Sequence, residues 1–236
     1  MIHIEEFTFN SFQTRCSIVW DETGNCAFID PGCTSAAETK ALHETVSRKG
    51  LKPVCIMLTH GHFDHIFGVA EAAGHYEVPV YMHSADKVIL DEANPALCAA
   101  FRLKVPDALY RTEETDGQAD TASGLTLHYV KEGDSIEIGS MKFEVIETPG
   151  HTPGGVCYLE RDGKVLFSGD TLFAGSIGRT DNQWADYDAL MSGIFGKLME
   201  LDGDISVIPG HGPATSIATE RTTNPFLMPF NEPFEE

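Results

Sequence analysis

The chain has 236 residues, of which 42% are hydrophobic and 22% are charged, so it is long enough for one large domain or two small ones. The 36 acidic residues outnumber the 16 basic ones and give a formal charge of −20. A surface with this charge repels nucleic acid backbones and anionic membranes, and we therefore expect no nucleic acid and no membrane partner.

The expected compartment follows from what the sequence lacks and from its cysteines. No apolar run approaches the length of a membrane span, and the N-terminus lacks the basic and apolar segments of a signal peptide. The six cysteines are scattered, without a C-x-x-C pair, and several lie in apolar runs that suit small buried side chains. We therefore predict a reducing, cytoplasmic setting.

The first part of the chain predicts three strands and a helix. Three segments have the pattern of short strands: residues 2–9, 14–20 and 26–29. We expect them to form a meander at one edge of a sheet. Ser35, with Glu38 three residues later, fits a helix capping box, and Gly50 fits the end of that helix.

The next segment carries the densest group of polar residues. Residues 51–58 form a short apolar run that predicts a buried strand, and residues 66–73 predict a helix. Between them lies Thr-His-Gly-His-Phe-Asp-His, residues 59–65, with three imidazoles and one carboxylate. This group therefore lies on a loop that leaves the end of a strand, where α/β proteins tend to build sites.

The middle of the chain combines short regular elements with one irregular segment. Residues 78–83 predict a strand, and Ser84 fits the cap of a helix over 85–90. Residues 94–101 predict another short helix. Residues 102–124 lose the periodicity and are rich in Asp, Glu, Thr, Gly and Ala, so we predict an exposed excursion that could overhang the site.

The second half of the chain predicts strands again. Six segments have the apolar pattern of strands: residues 125–130, 135–138, 141–146, 156–160, 164–168 and 205–208. Residues 187–201 have a helical period, and a short helix is expected near 216–221, before a C-terminal tail at 222–236. Because no repeat and no linker between independent halves is visible, we predict a single domain over residues 1–236.

The residues of the 59–65 stretch are of the types that bind transition metals. Neutral imidazole and carboxylate suit zinc and also iron or manganese. His60 and His62 are two residues apart and can point the same way from an extended loop, whereas Asp64 and His65 follow on a turn and can face a second position. Because four ligands so close in sequence cannot easily all reach one tetrahedral ion, we expect two metals.

Three further candidate ligands stand just after predicted strands. His151 and His211 lie in Gly-rich loops, where glycine lets the backbone bend tightly beside a crowded centre. Asp170 lies in Ser-Gly-Asp-Thr, and its two oxygens can bridge two ions. The remaining histidines have no such context and are expected at the surface or in packing: His3, His43, His75, His83 and His128. Among them, His83 is the strongest candidate for a role at the site, because it ends a predicted strand near the site in sequence order.

The ordered ligand set resembles the metallo-β-lactamase superfamily at every metal position: His60, His62, Asp64, His65, His151, Asp170 and His211. The resemblance spans about residues 29–212. It implies an α/β fold of the αββα type, a four-layer sandwich of two mixed sheets flanked by helices, with metals at one rim. It also implies that the three histidines at 60, 62 and 151 hold one metal and that Asp64, His65 and His211 hold the other, with Asp170 as the bridge. The expected cofactor is two Zn²⁺ per chain, with Fe or Mn as alternatives.

The resemblance also gives roles to residues around the metals. Asp30, in Ile-Asp-Pro-Gly, resembles the acidic residue that orients metal ligands, or it is a turn residue before proline. Residues 172–181 and the Asn-Pro-Phe at 224–226 resemble the hydroxyacylglutathione hydrolase (glyoxalase II) branch. In that branch Arg179 would bind the glutathione part of the substrate. The alternative is a surface Arg179 paired with Asp181.

The activity implied by this resemblance is metal-dependent hydrolysis of a small-molecule thioester. Two divalent ions bring the pKa of a shared water to ~7 and stabilise the oxyanion, and Asp64 and Asp170 are the catalytic carboxylates that hold them. Full-length enzymes of the branch carry a C-terminal helical domain that binds the glutathione tail. Only about two dozen residues follow His211 here, so the acyl group and the thiol carrier stay open.

A related branch, the persulfide dioxygenases, gives the main alternative because it shares the Gly-Arg-Thr-Asp stretch. It uses one iron held by two histidines and one aspartate, which here would be His60, His151 and Asp170. A non-enzymatic scaffold is disfavoured because no ligand is missing. A β-lactamase is disfavoured because it is expected to carry a secretion signal, which is not visible here. Ribonuclease-type relatives are disfavoured because they need extra domains and a basic surface, which this sequence lacks.

Overall fold

The structure is a computed structural model that describes residues 1–101, 103 and 126–228, and its framework is a pair of six-stranded mixed sheets. The first sheet contains six strands in sequence order: β1 (His3–Phe9), β2 (Thr14–Trp20), β3 (Asn25–Ile29), β4 (Lys52–Met57), β5 (Val80–His83) and β6 (Leu127–Val130). The first three form the predicted antiparallel meander, and β3 to β6 are parallel.

The later strands build the second sheet and one small hairpin. In chain order they are β7 (Ser135–Ile138), β8 (Met141–Glu147), β9 (Val156–Glu160), β10 (Val165–Gly169), β11 (Leu172–Phe173), β12 (Ser176–Ile177), β13 (Ser206–Pro209) and β14 (Thr215–Ser216). The sheet order is β14-β13-β10-β9-β8-β7, and β11 pairs with β12 outside it. The β11–β12 hairpin and β14 were missed by the sequence patterns because two-residue strands carry no detectable period.

Helices cover the outer faces of the two sheets. They are α1 (Ala36–Lys49), α2 (Phe63–Ile66), α3 (Val69–Tyr76), α4 (Asn94–Phe101), α5 (Tyr187–Gly193) and α6 (Ile217–Thr223). The capping box of α1 is confirmed: Ser35 Oγ accepts from Glu38 N at 3.2 Å, and the Glu38 carboxylate accepts from Ser35 N at 3.0 Å. Gly50 ends α1 with φ of 65°, as predicted.

Three separate hydrophobic cores define the four layers. The middle core lies between the sheets and includes Ala27, Met57, Phe143 and Phe167. The neighbouring residues along β3 and β4 face outward, because side chains alternate along a strand, and they pack against helices instead. The helix-facing core of the first sheet includes the following residues: Phe28, Ile56, Leu42, Val46, Val69 and Ala72. A third core joins the second sheet to α5 and α6 through Leu166, Val207, Leu190 and Ile217.

Strand direction brings six loops to one rim of the sandwich. β3, β4 and β5 are parallel neighbours, and β8, β10 and β13 also share one direction, since β8 and β10 both run antiparallel to β9 and β10 is parallel to β13. Hydrogen bonds from Val156 N to Thr59 O (2.8 Å) and from Arg15 N to Gly210 O (2.7 Å) join the two sheets there. The loops after these six strands therefore meet, as strand carboxyl ends do in α/β folds.

Two predicted helices differ from the observed ones. The helix predicted at 66–73 is two helices, α2 and α3, because the chain bends at Gly68, whose N–H donates to the Pro31 carbonyl at 2.8 Å. A Cβ at Gly68 would lie 2.2 Å from Cys33 Sγ, so only glycine fits this approach. The helix predicted at 85–90 is a 3₁₀ turn, Ser84–Asp86, capped by His83 rather than Ser84, followed by a π-helical segment, Ile89–Ala93.

The remaining predicted segments lie partly outside the described residues. The excursion at 102–124 does so except for Leu103, and residues 229–236 of the predicted tail also do. In the described part of that tail, Asn224 is buried and Leu227 packs into the third core. All six cysteines are buried and unpaired, as expected from their positions. Within the described ranges, no helix is long and apolar enough to cross a bilayer.

Candidate metal centre

The loops at the rim bring six of the predicted ligands into two groups. The first group is His60, His62 and His151, and the second group is Asp64, His65 and His211. Within each group, one ligand atom from each residue lies within 4.8 Å of the others. The histidine loop after β4 contributes to both groups, because α2 begins at Phe63 and carries Asp64 and His65 to the second group.

The first group is a cluster of three imidazoles in close contact. His62 Nδ1 lies 2.9 Å from His151 Nε2, and the rings of His60 and His62 are nearly perpendicular, with centroids 4.9 Å apart. Burial, together with the nearby His65, holds the pKa of His60 well below its ordinary value, and burial with His151 lowers the pKa of His62 to about 3. Both rings therefore present lone pairs at neutral pH, the form in which histidine binds a metal.

The second group combines two histidines with a carboxylate. His211 Nε2 lies 3.4 Å from Asp64 Oδ2 and 3.3 Å from His65 Nε2. Asp64 Oδ2 also accepts a hydrogen bond from Thr14 Oγ1 at 2.8 Å, which fixes its direction. Burial opposes ionisation of Asp64, but His65 together with hydrogen bonds from His211 and Thr14 outweighs burial, and the pKa of Asp64 falls to about 2. The carboxylate is therefore charged at neutral pH.

Asp170 lies between the two groups. Its Oδ2 is 3.5 Å from Nε2 of His151 in the first group and 3.5 Å from Nε2 of His211 in the second. Its Oδ1 is 3.5 Å from His65 Nε2, and His60 Nε2 is 4.0 Å from Oδ2. Burial opposes ionisation of Asp170, but these histidines hold its pKa well below the usual range. The side chain thus has the position and charge that a bridging ligand needs.

The donor atoms at the centre fit divalent metal ions. Among the described residues, His60 Nε2 and Asp170 Oδ1 are buried and have no hydrogen-bond partner. A buried polar atom without a partner costs roughly 1–3 kcal/mol, so these atoms call for another ligand. Imidazole nitrogen and carboxylate oxygen are donors that zinc, iron and manganese accept. Two ions, one in each group, would satisfy the whole set.

Hydrogen bonds donated by Nδ1 orient three of the rings with Nε2 toward the middle. The partners are Asp30 Oδ2 for His65 at 3.0 Å, the Arg179 carbonyl for His151 at 2.9 Å and the Phe12 carbonyl for His211 at 3.1 Å. Such partners fix the tautomer that leaves the other nitrogen free for a metal. His62 differs, because its Nδ1 is the nitrogen that faces His151.

Asp30 lies directly behind the second group and joins it to β4. Its Oδ1 accepts from Thr59 N at 2.8 Å, and its Oδ2 accepts from Thr59 Oγ1 at 2.6 Å while facing His65. Its φ of 49° is unusual for a residue other than glycine, and the buried hydrogen bonds maintain it. The structure therefore places Asp30 where it can orient His65.

The sequence comparison with protein families agrees with this geometry. A model of the metallo-beta-lactamase superfamily matches residues 10–211, which include all seven predicted ligands. The chain belongs to the metallo-beta-lactamase superfamily. A member from Haemophilus influenzae, named hydroxyacylglutathione hydrolase GloC, is 34% identical over 226 residues, covering 96% of this chain and 98% of that protein.

Similar solved structures confirm the predicted fold. The crystal structure of BLEG-1 B3 metallo-beta-lactamase has a TM-score of 0.80 and 33% identity, covering 96% of this chain and all of that one. TTHA1623 in a di-iron-bound form has a TM-score of 0.77 and 34% identity, covering 94% of this chain and all of that one. ETHE1 from Myxococcus xanthus has a TM-score of 0.70 and 25% identity, covering 94% and 83%.

Arg179 contacts the centre through its backbone rather than its guanidinium. Its carbonyl accepts from His151, whereas its side chain is 81% exposed and pairs with Asp181, with Nη2 2.8 Å from Oδ2. This pairing matches the alternative interpretation of Arg179 from the sequence. An exposed ion pair contributes ~1 kcal/mol or less, so an anionic ligand could still displace Asp181 from the guanidinium.

His83 does not join the metal centre. Its Nε2 lies 3.0 Å from Glu147 Oε1, and its Nδ1 accepts from Ala85 N at 3.1 Å. It thereby caps the 3₁₀ turn that follows β5 and directs Asp86, at the end of that turn, into the interior. The side chain of this segment that supports the metal centre is therefore Asp86, three residues after His83.

Asp86 joins the loops of the two metal-binding segments, and the sequence analysis did not predict it. Its fully buried carboxylate accepts from Gly61 N at 2.6 Å, from Gly154 N at 2.5 Å and from Thr152 Oγ1 at 2.9 Å. Gly61 lies between His60 and His62, and Thr152 follows His151. A lone Asp in a short polar turn gives no local signal of contacts 25 and 68 residues away.

Replacing Asp86 with asparagine should weaken metal binding at the first group. The amide cannot accept all three hydrogen bonds, so the loops that carry the ligands lose their common anchor. Loss of such a supporting residue typically costs 10–100-fold in metal affinity, and we expect roughly that decrease. Competition with a chromophoric chelator measures it. Asp91→Asn, at an exposed position of the next turn, is the matched control, and equal affinities in the two variants would contradict the prediction.

Metal binding to the second group should release protons at neutral pH. Burial opposes protonation of His65, but Asp64, Asp170 and Asp30 outweigh it and raise its pKa to about 9. Burial also opposes protonation of His211, but the carboxylates of Asp170 and Asp64 outweigh it and raise the pKa of His211 to about 11. Both rings are thus protonated at pH 7 in the metal-free chain, whereas a metal requires them neutral.

The proton release gives metal affinity a defined pH dependence. Raising the pH toward 9 lowers the cost of deprotonating the two rings, so apparent affinity should increase with pH over this range. Calorimetry of metal binding at pH 7, in buffers with different ionisation enthalpies, should give about one to two protons released per chain. A count near zero would show that these rings are already neutral before the metal binds.

Proposed function

We propose that the chain is a two-metal hydrolase of thioesters, of the hydroxyacylglutathione hydrolase type. The observation that carries the proposal is the placement of Asp170, whose oxygens contact histidines of both groups at 3.5 Å. A one-metal enzyme would need only one of these groups. Here each group offers three ligand atoms of its own, and Zn²⁺, Fe²⁺ and Mn²⁺ all suit the donors.

The residues of the centre support hydrolysis in distinct ways. Two bound divalent ions supply a hydroxide near neutral pH and polarise a carbonyl oxygen. Asp64 and Asp170 would hold the two cations through their negative charges, and Thr14 and the surrounding histidines hold the two carboxylates in position. Because a thiol has a pKa of ~8.5, the thiolate leaves without a proton from the enzyme.

Two observations favour a thioester as the substrate. The protein named hydroxyacylglutathione hydrolase GloC matches along 98% of its own length. A protein of about the same length as this chain is therefore named for hydrolysis of a glutathione thioester. An aromatic wall also borders the second group: the Phe12 ring packs edge-on against Phe63 and Phe101, with centroids 5.0 and 5.2 Å apart, while the Phe12 carbonyl holds His211. Such a wall suits the apolar part of a small organic substrate.

A mononuclear-iron persulfide dioxygenase is the second candidate. It is favoured by the two-histidine, one-carboxylate set formed by His60, His151 and Asp170, whose contacts are 4.0 and 3.5 Å. That set suits Fe(II) with open coordination positions. The second group argues for hydrolysis instead, because Thr14 and Asp30 hold its ligands in place as firmly as the first group is held.

Metal analysis combined with a substrate panel tests the proposal. The protein is purified with its native metals, and the panel contains a hydroxyacylglutathione, a neutral thioester, a chromogenic β-lactam and glutathione persulfide. We expect about two metal ions per chain and turnover of the thioesters. Oxygen consumption with the persulfide and one iron per chain would establish the second candidate. Turnover of the β-lactam alone would overturn both.

Replacing Arg179 with alanine should raise the KM for the anionic glutathione thioester more than it lowers kcat. An anchor distant from the carbonyl affects substrate and transition state equally, and an exposed charge pair contributes ~1 kcal/mol or less, so we expect an increase in KM of up to roughly fivefold. The neutral thioester should show almost no change. Equal losses for both substrates would instead assign Arg179 to holding the loop that positions His151.

A further inference from the structure

A second cluster of metal-type ligands lies on the outer helices, apart from the rim. It consists of His43 on α1 with Glu71 and His75 on α3, and ligand atoms of the three residues lie within 4.8 Å of one another. Within α3, Glu71 and His75 are four residues apart and therefore project from the same face. The sequence analysis assigned both histidines to the surface or to packing.

The two helices are held rigidly enough to keep this cluster together. Leu42, next to His43, and Val46 anchor α1 to the first sheet, while Val69, Ala72 and Ala73 anchor α3 to the same core. The polar side chains therefore meet across a fixed helix pair. Since α3 has eight residues and a length of about 12 Å, His75 lies at the opposite end of this helix from the histidine loop.

Direct contacts hold the side chains of the cluster together. His43 Nε2 lies 3.0 Å from both oxygens of Glu71, and the rings of His43 and His75 have centroids 4.3 Å apart. The other ring nitrogen, His43 Nδ1, lies 2.7 Å from the Tyr76 hydroxyl. Burial raises the pKa of Tyr76 to about 12, so this hydroxyl keeps its proton and can donate or accept.

Tyr76 allows His43 to change tautomer when a cation binds. Without a cation, His43 Nε2–H can donate to Glu71 while the Tyr76 hydroxyl donates to Nδ1. With a cation on Nε2, the proton moves to Nδ1 and the Tyr76 oxygen accepts it, as in the second-shell hydrogen bonds that orient metal-bound histidine. The carboxylate then turns from hydrogen-bond acceptor to ligand, and the partly exposed Tyr76 hydroxyl donates its own proton to water instead of to His43.

We propose that His43, Glu71 and His75 form a peripheral site for a first-row divalent cation, with Zn²⁺ as the preferred occupant. Two imidazoles and one carboxylate are a common zinc donor set, and water can take the fourth position because Glu71 and His75 are exposed. His75 lies in the last turn of α3, where the helix dipole favours a cation, and the chain has a formal charge of −20. At saturating Zn²⁺, the metal content per chain would then exceed that of the rim centre by one ion.

Zinc titration of the metal-loaded protein tests this site separately from the rim centre. We expect wild-type protein to bind one further equivalent of Zn²⁺. His75→Ala and Glu71→Gln should each weaken this binding at least tenfold, and Tyr76→Phe should weaken it roughly 10–100-fold. The control is His128→Ala, which removes another exposed histidine, on β6, and should bind zinc like the wild type.

Hydrolysis serves as the check on folding, because none of these residues contacts the rim centre. All four variants should turn over the thioester at the wild-type rate while differing in zinc uptake. Uptake of no further Zn²⁺ by the wild type, even in large excess of the metal, would overturn the proposal. Equal uptake by His75→Ala, Glu71→Gln and His128→Ala would overturn it as well, because the metal would then bind elsewhere.

Discussion

Replacing Asp170 with alanine should remove at least one metal ion per chain and reduce turnover by roughly 10³-fold or more. Asp170 contacts histidines of both groups, so its loss leaves two cations close together without their shared anion. The fold should survive, because the side chain lies at the rim and in none of the three hydrophobic cores. Metal analysis and thioester turnover, with circular dichroism for the fold, measure the three effects.

Two further variants make the Asp170 result specific. Asp170→Asn keeps the volume of the side chain but not its charge, and should also lose metal, since a neutral amide does not hold two cations together. Asp204→Ala removes an exposed aspartate that pairs with Lys164, and should retain full metal content and rate. Full occupancy and normal turnover in Asp170→Ala would show that Asp170 does not bridge the ions.

A single methyl group at Gly210 should disable the same centre. A Cβ at this position would lie 2.3 Å from Asp170 Oδ1 and 2.7 Å from His65 Cε1. The backbone cannot move aside easily, because Gly210 N donates to Gly169 O at 2.8 Å and Gly210 O accepts from Arg15 N at 2.7 Å. Asp170 and His65 must therefore shift, and a displacement of about 1 Å costs on the order of 10²-fold in rate.

The Gly210→Ala variant has a matched control within the same chain. Gly196→Ala adds the same methyl group at a position where no atom lies within 4 Å of the added Cβ, so it should leave rate and metal content unchanged. Overpacking at Gly210 should also lower the free energy of unfolding by about 1–3 kcal/mol, which thermal denaturation can measure. Wild-type activity in Gly210→Ala would show that the 209–212 loop has more freedom than its hydrogen bonds indicate.

The fold was predictable where local patterns and long-range packing favour the same structure. Alternation and apolar runs predicted the longer strands, and Ser35 with Glu38 predicted the start of α1, because a capping box is satisfied within one turn. The predictions were wrong where tertiary contacts decide the local structure. Gly68 breaks a helix to reach the Pro31 carbonyl, and His83 caps a turn that Ser84 was expected to cap.

The candidate site followed the same division. The seven candidate ligands could be proposed because each is a histidine or aspartate placed just after a predicted strand, and the superfamily match at residues 10–211 contains all of them. Apart from Asp30, their supporting residues could not be found. Thr14 reaches Asp64 across 50 residues and Asp86 reaches Gly154 across 68, and neither stands in a motif. Such contacts depend on how the sheets pack, which periodicity does not encode.

The buried cysteines determine how the proposed reaction can be followed. All six thiols are inaccessible, and burial raises the pKa of every one, to about 12 for Cys26 and Cys55 and about 11 for Cys33 and Cys157. The native protein therefore presents almost no thiolate to a disulfide reagent or an alkylating agent. A continuous colorimetric assay for free thiol would record only the thiol released from the substrate, and the folded enzyme should tolerate the reagent throughout the measurement.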